Sequence, residues 1–382
     1  MMAELEGARI GLLTSSASRL GGGVFEAVVA QAELLVGLGA VPRIFALHDA
    51  FADADRPRFG ACPVTACRIL GPRQIGFAPD LLPALASARL DCLHLHGIWM
   101  YPSAAAASWV RQTGKPYLIS PHGMLDPWIT ARGKAKKALA RWGYERRSWR
   151  RATAFHALTE QEARDTAHES GRREIHVVPN AGPPPIYDLT PRPPGYCLSY
   201  IGRIHAKKNL GALIEGWHRA RRPSAARLTI AGWGDDRDVD ALRSAISIGD
   251  GSVEFVGPLY GEDKQALIDG SRFMILPSLS EGLPMAMLEA WARGVPTIMS
   301  DACHLPEGFT TGAALRCGTD PQSLAAVIEE AMGITGDRWR GMAAAALACA
   351  RERFSPPVVA QAWARVYAGL GARRSEGGVD RG

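Results

Sequence analysis

The sequence contains no run of eighteen apolar residues, and only 21% of its 382 residues are charged. The first absence excludes a typical membrane-spanning helix, and an apolar content of 47% excludes a largely disordered chain. The amino-terminal residues lack the basic start and the longer apolar core of a secretion signal. We therefore expect a cytoplasmic protein, which could be peripheral at the inner face of the cell membrane.

Cysteine patterns that would stabilise a small domain or bind a metal are also missing. The seven cysteines are odd in number and include no Cys-x-x-Cys pair, which argues against a disulfide framework and a structural zinc site. His94 and His96 have no nearby carboxylate and make a poor metal site. No nucleic-acid motif is present. We expect buried thiols, no metal, no cofactor and no nucleic-acid partner.

The net charge of +6 is concentrated in one segment, residues 132–151. Nine Lys or Arg residues and one acid, Glu145, give this segment +8 and leave the rest of the chain near −2. We predict a helix here, with Leu139, Trp142 and Trp149 near one face and the tryptophans packed in the core. Its cations could contact an anionic membrane, an acceptor's phosphates or only solvent, and we favour the first two. The candidate contacts are Lys136, Lys137 and Arg141.

Short apolar runs alternate with helix-length amphipathic stretches, which is the pattern of parallel sheets with crossover helices. A chain of this length suggests two domains, because single cores stop growing at roughly 250–300 residues. Six prolines between positions 183 and 194 indicate the boundary. We predict domains at 1–182 and 196–355, a linker at 183–195, a last helix at 356–372 and a polar tail at 373–382.

We predict eleven strands, and one helix is well marked. Thr159 and Glu162 form a capping box at its start, and Gly171 can end it. The predicted strands are residues 9–14, 41–47, 91–96, 116–120, 154–157 and 175–178 in the first domain, and residues 196–201, 227–231, 253–256, 273–276 and 297–300 in the second.

Two carboxylates lie around the start of one predicted helix in the second domain. Glu281 follows the apolar run 273–277, and Glu289 lies eight residues on, a little over two helical turns inside. One acid can face a sugar and the other a ribose; alternatively, one favours the helix terminus and the other is solvated. Free backbone N–H groups at this helix start would favour a diphosphate, and we expect the start to be formed by Gly282, Leu283 and Pro284.

Other candidate residues follow predicted strands, where ligands bind in parallel sheets. Arg203 and Lys208 lie at the opening of a helix and can neutralise a diphosphate, although surface cations are the alternative. Gly22 and Gly23 give the backbone room to approach a ligand, or form a simple flexible loop. The loop after strand 116–120 contains His122 and Asp126. His122 could contact a ligand or be a core residue, and Asp126 could orient an acceptor hydroxyl or cap the helix that follows.

Residues 277–296 closely resemble the paired-glutamate signature of glycosyltransferase family 4, whose members are retaining, metal-independent enzymes. The glycine loop, the Pro-His-Gly motif, and Gly-Arg followed five residues later by Lys also match this family. Met-Leu-Asp-Pro-Trp matches a subgroup associated with bacterial surface polysaccharides. Residues 178–182, Val-Pro-Asn-Ala-Gly, resemble the family's Pro-Asn-Gly hinge, and residues 231–235, Ala-Gly-Trp-Gly-Asp, resemble its glycine turn. The chain departs from the family pattern at three positions: Ala181 is inserted in the hinge motif, Asn209 replaces a commoner glycine, and Trp233 replaces a smaller polar residue.

The resemblance implies the α/β GT-B fold, with two doubly wound Rossmann-like domains facing a cleft and a last helix that could cross back to the first domain. It implies that the first domain, 1–182, is the acceptor side and that the second, 196–355, binds the nucleotide-sugar donor. It implies transfer of a sugar from a nucleoside diphosphate donor to a glycan hydroxyl, on an acceptor that could be linked to polyprenyl diphosphate. The alternatives are a sugar-nucleotide 2-epimerase and a catalytically silent nucleotide- or glycan-binding protein. The implied contacts are the donor sugar for Glu281 and His122, the diphosphate for Arg203 and Lys208, the ribose for Glu289, and the base for the segment around Val256.

Overall fold

The computed structural model describes residues 5–130, 134–186 and 195–376, except for the side chains of residues 128, 129, 134–136 and 372–376. The chain forms two compact units. The first unit comprises Met1–Asn180 and Val359–Gly382, and the second comprises Ala181–Val358. Most of the proline-rich linker that we predicted, residues 187–194, lies outside the described residues.

The first unit is built on a seven-stranded sheet. Its strands are β1 (Arg9–Thr14), β2 (Val41–Leu47), β3 (Val64–Cys67), β4 (Cys92–His96), β5 (Tyr117–Ser120), β6 (Ala154–Ala157) and β7 (Ile175–Val177). The order is β3-β2-β1-β4-β5-β6-β7, and every pairing is parallel. All five residues of β4 are buried, as expected for a central strand that helices cover on both faces.

Helices connect these strands. The described α-helices of the first unit are Gly23–Gly37, Ala52–Asp55, Leu81–Ser87, Tyr101–Thr113, Pro127–Thr130, Lys134–Ala140, Arg146–Arg151 and Glu160–Ser170, with 3-10 turns at Arg19–Gly21 and Arg56–Phe59 and a π-helical turn at Arg141–Glu145. The helix Pro356–Glu376 joins this unit from Val359 onward.

The second unit is built on a six-stranded sheet. Its strands are β8 (Cys197–Ile201), β9 (Arg227–Ala231), β10 (Val253–Gly257), β11 (Phe273–Leu276), β12 (Thr297–Met299) and β13 (Ala314–Arg316). The order is β10-β9-β8-β11-β12-β13, again with parallel pairings only. Trp217 and Trp291, both fully buried, fill its core.

Helices also connect the strands of the second unit. They are Leu210–Arg219, Asp236–Ser247, Gly261–Asp269, Met285–Ala292, Pro306–Thr310, Pro321–Gly333 and Gly336–Cys349, with 3-10 turns at Ala206–Lys208 and Asp301–Cys303 and a π-helical turn at Ala350–Phe354.

Two strands were missed by the sequence prediction, and both lie at sheet edges. β3 has four residues, of which only the last is buried, and β13 has three, of which the last is exposed. Because an edge strand packs against fewer neighbours, it needs less apolar sequence. Runs this short therefore carry too weak a pattern to be recognised.

The predicted capping box is correct in one half only. Thr159 accepts a hydrogen bond from the Glu162 backbone N–H at 3.2 Å, and Gly171 ends the helix with φ 69°. The Glu162 carboxylate, however, accepts the N–H groups of Leu158 at 2.8 Å and Gly123 at 2.6 Å. Glu162 therefore holds the loop after β5 instead of closing the box.

The prediction that both tryptophans of the basic segment pack in the core is wrong for Trp142. Trp149 is 2% exposed, but Trp142 is 80% exposed and Leu139 is 69% exposed. The π-helical turn Arg141–Glu145 lies between the two tryptophans. Such a turn adds about one residue, which rotates the following side chains by about 100°. Trp142 and Trp149 therefore do not share a face.

Among the described residues, no helix combines the length and the apolar character needed to cross a membrane.

Candidate functional site

In the second sheet the direction of strand progression reverses between β8 and β11. Ligands of open parallel sheets bind outside the carboxyl ends of the strands at such a reversal. The loops that follow these two strands are joined to each other. The Leu279 N–H donates to the Lys207 carbonyl at 2.8 Å, and the Asn209 side-chain amide donates to the Pro277 carbonyl at 3.3 Å.

Lys208 and Glu281, one from each loop, form an ion pair at this position. The Lys208 ammonium contacts Glu281 Oε1, with side-chain exposures of 20% and 9%. The Ser278 hydroxyl donates to the same Oε1 at 2.5 Å, and the Glu281 N–H donates to the Ala302 carbonyl at 3.1 Å. Glu281 is therefore fixed by its backbone and by two donors to one carboxylate oxygen. A partly buried cation beside it can meet an incoming anion.

Arg203 has a different acidic partner from Lys208. Its guanidinium lies 3.4 Å from the Asp235 carboxylate, and more than half of each side chain is exposed. The Tyr200 hydroxyl donates to the Arg203 carbonyl at 2.8 Å, which fixes the backbone while the side chain reaches solvent. The structure thus places Arg203 in the predicted loop, paired with Asp235 at the surface.

Glu289 is paired with a residue that the sequence analysis did not select for this purpose. Lys264 Nζ lies 2.5 Å from Glu289 Oε2, and about a quarter of each side chain is exposed. Lys264 belongs to the helix Gly261–Asp269 after β10. Its cation compensates the Glu289 carboxylate, which is about a quarter exposed.

The helix that contains Glu289 begins later than we predicted. It runs from Met285 to Ala292, with Pro284 as the N-cap, so Glu289 lies just over one turn inside. Gly282, Leu283 and Pro284 form the loop before the helix, because the backbone of Pro284 is extended (φ −77°, ψ 98°).

Glycines allow the loops after β8 and β9 to approach closely. A Cβ on Gly232 would lie 1.8 Å from the Gly202 carbonyl oxygen, and one on Gly234 would lie 2.4 Å from the Ile204 carbonyl oxygen. The Gly232 N–H also donates to the Gly257 carbonyl at 2.8 Å, next to the bulge that follows β10 residue Phe255. Val256, in that bulge, is 42% exposed, and Trp233 is 53% exposed.

Asn209 can take the place of the glycine that is commoner at this position in the family. Its backbone is left-handed, with φ 59°, a conformation that glycine adopts freely and asparagine tolerates. Its amide donates to the Thr319 carbonyl at 2.7 Å as well as to Pro277. The substitution therefore keeps the turn and adds two hydrogen bonds that glycine could not make.

In the first sheet the reversal lies between β1 and β4, and the glycine loop follows β1. Gly22 has φ 54° and caps the helix Gly23–Gly37, and a Cβ at Gly22 or Gly23 would meet no atom within 4 Å. Asp49 orders the start of this loop by accepting the hydroxyls of Ser16 at 2.6 Å and Ser18 at 2.7 Å. A ligand could therefore approach an open backbone on a fixed support.

His122 lies in the loop after β5 and has a left-handed backbone, with φ 54°. His122 Nε2 lies 3.0 Å from His96 Nδ1, and the two rings are stacked at 5.2 Å. Burial lowers the pKa of His122 to about 4, so the ring is neutral at pH 7. Glu162 fixes the next residue, Gly123, through its N–H. His122 is therefore oriented by His96 through its ring and by Glu162 through the backbone.

A directed chain of hydrogen bonds runs beneath the ends of β4, β5 and β6. His156 Nε2 lies 2.8 Å from the Val178 carbonyl and must donate to it. His156 Nδ1 then accepts from Ser120, which accepts from His94 Nε2, and His94 Nδ1 accepts from Tyr367, each at 2.7 Å. Burial lowers the pKa of His156 to about 3, and that of His94 far below its usual value. These histidines are structural and neutral.

The residues predicted to contact the acceptor or a membrane have different surroundings. Arg141 is paired with Glu169 at 2.5 Å, and Lys137 lies over the Trp99 ring, so both face the protein. The Asp126 N–H donates to the Gly123 carbonyl at 3.1 Å, in the turn before the helix Pro127–Thr130. The side chain of Lys136 lies outside the described part of the chain. In the described part of the segment, the exposed cations are instead Arg146, Arg147 and Arg150, which lie beside Trp142.

Four residues that support the site were not recognised as such from the sequence. Lys264, Ser278 and His96 contact predicted residues, and Glu162 contacts Gly123, the neighbour of His122. Lys264 and Ser278 had a usable signal, because each follows a strand of the second sheet, as Lys208 does. Over the described residues, no group of three or more His, Cys, Asp or Glu side chains could hold a metal ion.

Comparisons with known proteins match both units. The family described as "Glycosyl transferase 4-like domain" matches residues 22–181, and "Glycosyl transferases group 1" matches residues 195–333. The chain is 27% identical over 168 residues to the O-antigen chain mannosyltransferase B of Escherichia coli, covering 42% of each protein. It is 28% identical over 245 residues to a GDP-mannose:cellobiosyl-diphosphopolyprenol alpha-mannosyltransferase of Xanthomonas oryzae, covering 63% of each. Both matches span less than two thirds of the relative's length.

A solved structure similar to this chain is that of HepE from Anabaena in complex with UDP and glucose. The two chains superpose with a TM-score of 0.74 over 95% of this chain and 100% of the other, at 16% sequence identity. This similarity shows the GT-B fold, which the sequence analysis predicted. With the two family matches spanning most of the chain, it leads to one conclusion: the chain belongs to the family 4 type of glycosyltransferases with the GT-B fold.

Proposed function

We propose that this protein transfers a sugar from a nucleoside diphosphate donor to a hydroxyl group of a bacterial cell-surface glycan. The similarity to an O-antigen mannosyltransferase and to a mannosyltransferase named for a diphosphopolyprenol acceptor supports a polysaccharide pathway and a lipid-linked acceptor. The reaction retains the configuration of the sugar and needs no metal ion. Both of these properties follow from the family resemblance and are open to direct test.

The Lys208–Glu281 ion pair carries this proposal. It lies at the strand reversal of the second sheet, on two loops that are bonded to each other. In the proposed mechanism the Lys208 cation stabilises the negative charge that develops on the leaving diphosphate, as fixed donors and cations do in other transfer reactions. Glu281, fixed by Ser278 and Ala302, contacts the donor sugar.

The remaining donor contacts are proposals of the same kind. Arg203, at the surface beside Asp235, is placed to change partner when a diphosphate binds, because its present ion pair is exposed and weak. Glu289 binds the ribose hydroxyls, and Gly282, Leu283 and Pro284 offer their loop backbone to the donor. Val256 belongs to the segment that packs against the base. In the first unit, His122 contacts the transferred sugar, and the Gly22 and Gly23 backbone lies at the donor.

Nucleotide binding is the first test. Thermal unfolding should be followed with UDP, GDP and ADP, since a ligand of the folded state raises the unfolding temperature with occupancy. GDP-mannose and UDP-glucose are then offered with a lipid-linked or glycan acceptor. Transfer with one donor supports the proposal. Conversion of a donor without any acceptor would show an epimerase, and binding without either reaction would show a silent binding protein.

Stereochemistry and metal dependence are tested on the same product. Proton NMR of the first turnovers should show the anomeric configuration of the donor, and activity should persist in excess EDTA. An inverted product would overturn the retaining assignment, and loss of activity that Mg²⁺ restores would overturn metal independence.

The exposed side of the basic segment is proposed to contact an anionic membrane surface. Trp142 and Leu139 are largely exposed, and Arg146, Arg147 and Arg150 lie on the same segment. Exposed aromatic and cationic side chains together favour a lipid interface. Co-sedimentation with phosphatidylglycerol vesicles should be salt-sensitive and should be lost when the three arginines become glutamine. Equal sedimentation of wild type and variant would remove this surface from the proposal.

A further inference from the structure

Trp99 has a strained backbone, and the basic segment holds it from both sides. Its φ of 78° lies in the left-handed region, which is unfavourable for a bulky side chain. The Glu145 carboxylate accepts the Trp99 N–H at 2.5 Å, and the Tyr144 hydroxyl donates to the Trp99 carbonyl at 2.8 Å. Two adjacent side chains thus hold both backbone polar groups of Trp99, in the loop after β4.

The π-helical turn is where these two side chains originate. Tyr144 and Glu145 belong to the turn Arg141–Glu145, between two α-helical pieces. Adjacent side chains of a regular α-helix diverge by about 100°, yet these two reach the same residue. π-Helical turns are rare and occur frequently at functional sites. Glu145 is fully buried although it is the one acid among nine cations. Burying a carboxyl group is costly, so its position calls for an explanation beyond charge balance.

Trp99 passes this constraint on to the loop that contains His122. The indole N–H donates to the Met124 carbonyl at 3.3 Å, and the Ile98 N–H points at Met124 Sδ, also at 3.3 Å. The loops after β4 and β5 are therefore fastened together through Met124. The loop after β4 also lies at the strand reversal of the first sheet, where a ligand of that unit is expected.

From this geometry we propose that Tyr144 and Glu145 are positioning residues for the acceptor reaction. They hold the Trp99 loop, and through it the Met124 segment next to His122, in the shape that receives the acceptor. The inference rests on the proposed function, and it places the acceptor at the first unit. It adds two residues that act through Trp99 and touch neither substrate.

The test uses conservative variants and a matched control in the full chain. Tyr144→Phe removes the donor to the Trp99 carbonyl, and Glu145→Gln keeps an oxygen that can accept the Trp99 N–H. Tyr117→Phe is the control, because the buried Tyr117 hydroxyl lies 2.8 Å from Ser148 of the same segment but does not contact Trp99. A merely structural hydroxyl should lower stability in both tyrosine variants alike and leave the kinetic constants unchanged.

We expect Tyr144→Phe to raise the acceptor KM about tenfold, the effect of one lost hydrogen bond, with the donor KM unchanged. Tyr117→Phe should keep both KM values. Glu145→Gln should keep most of the wild-type activity, and Glu145→Ala should keep little of it. Wild-type acceptor KM in Tyr144→Phe, or the same rise in Tyr117→Phe, would overturn the inference.

Hydrogen exchange gives a readout that does not need activity, and it separates this inference from the proposed function. The peptide around residues 97–101 should exchange at least about tenfold faster in Glu145→Ala and Tyr144→Phe than in wild type. The same peptide should be unchanged in Tyr117→Phe. Equal exchange in all four proteins would show that Tyr144 and Glu145, the clamp, do not hold the Trp99 loop. Faster exchange without transfer by wild type would leave the clamp in place and refute the transferase assignment.

Discussion

The carboxyl ends of the two sheets carry different side chains: neutral histidines in the first unit and ion pairs in the second. In the first unit, His94 and His156 are buried and neutral, and each ring nitrogen has a fixed partner. In the second unit the corresponding place holds two partly exposed ion pairs, Lys208–Glu281 and Lys264–Glu289. One sheet end is a closed network of neutral groups, while the other presents charges that can exchange partners.

This difference teaches how the two units divide the work of the proposed reaction. A neutral, fully bonded network resists change and supports a rigid surface, because any broken bond leaves a buried polar group unpaired. Lys208 and Lys264 stay partly exposed within their ion pairs, so a ligand's anion can still reach their charges. A diphosphate therefore suits the second unit, and the following predictions test the contrast in order of decreasing effect.

Lys208→Ala should reduce turnover by about 10² to 10³, because it removes the cation proposed to stabilise the leaving group. The measurement is steady-state kcat with saturating donor and acceptor, made on protein that circular dichroism shows to be folded, because the change leaves the 9% exposed Glu281 carboxylate without its cationic partner. Lys207→Ala is the neighbouring control and should retain most activity. Near-wild-type kcat in Lys208→Ala would refute the role of this cation.

Acid should destabilise the first unit before the second. Burial lowers the pKa of His156 from 6.5 to about 3, so the unfolded chain takes up its proton at a higher pH than the folded chain. The unfolding free energy therefore falls as the pH drops from 6.5 toward 3, by roughly 3 kcal/mol at pH 4 for this residue alone. No histidine in the described part of the second unit is buried.

The check is hydrogen exchange of β4–β6 peptides against β8–β12 peptides between pH 7 and pH 4, corrected for intrinsic rates. His156→Gln should flatten the pH dependence in the first unit. Parallel loss of protection in both units would contradict the predicted order.

Glu289→Gln should raise the donor KM about tenfold with little change in kcat, because a ribose contact is made equally in ground and transition states. It also leaves Lys264 without its anionic partner. Glu262→Gln, an exposed acid on the Lys264 helix, is the control and should behave as wild type. A fall in kcat at unchanged KM would instead place Glu289 at the reacting centre.

Ser278→Ala should have the smallest effect, a fall in kcat of about fivefold, since it removes one of the two donors that fix the Glu281 carboxylate. Ser271→Ala, which removes another buried hydroxyl of the second unit, is the matched control. A loss as large as that of Lys208→Ala would mean that the Ser278 hydroxyl itself takes part in the chemistry.

Much of this arrangement could be predicted from the sequence because it depends on local patterns. The central strands are mostly apolar runs, and Lys208 and Glu281 follow two of them. The partners that complete the site are distant in sequence and were not predictable. Lys264 reaches Glu289 from another helix, and His96 meets His122 only because β4 and β5 are neighbours. The position of Trp142 depends on a π-helical turn, which no hydrophobic pattern encodes.

The bond between His94 and Tyr367 joins residues 273 positions apart, and Gln31 also donates to the Tyr367 hydroxyl at 3.2 Å. On the ribosome, the second unit is therefore synthesised in full before the first unit receives its last helix. Until Trp363 and Tyr367 emerge, the nascent first unit has the buried face of its histidines uncovered. We expect the second unit to complete folding first, although most of its sequence is synthesised after that of the first unit. The first residues to be synthesised therefore acquire their last native contacts after the second unit has folded.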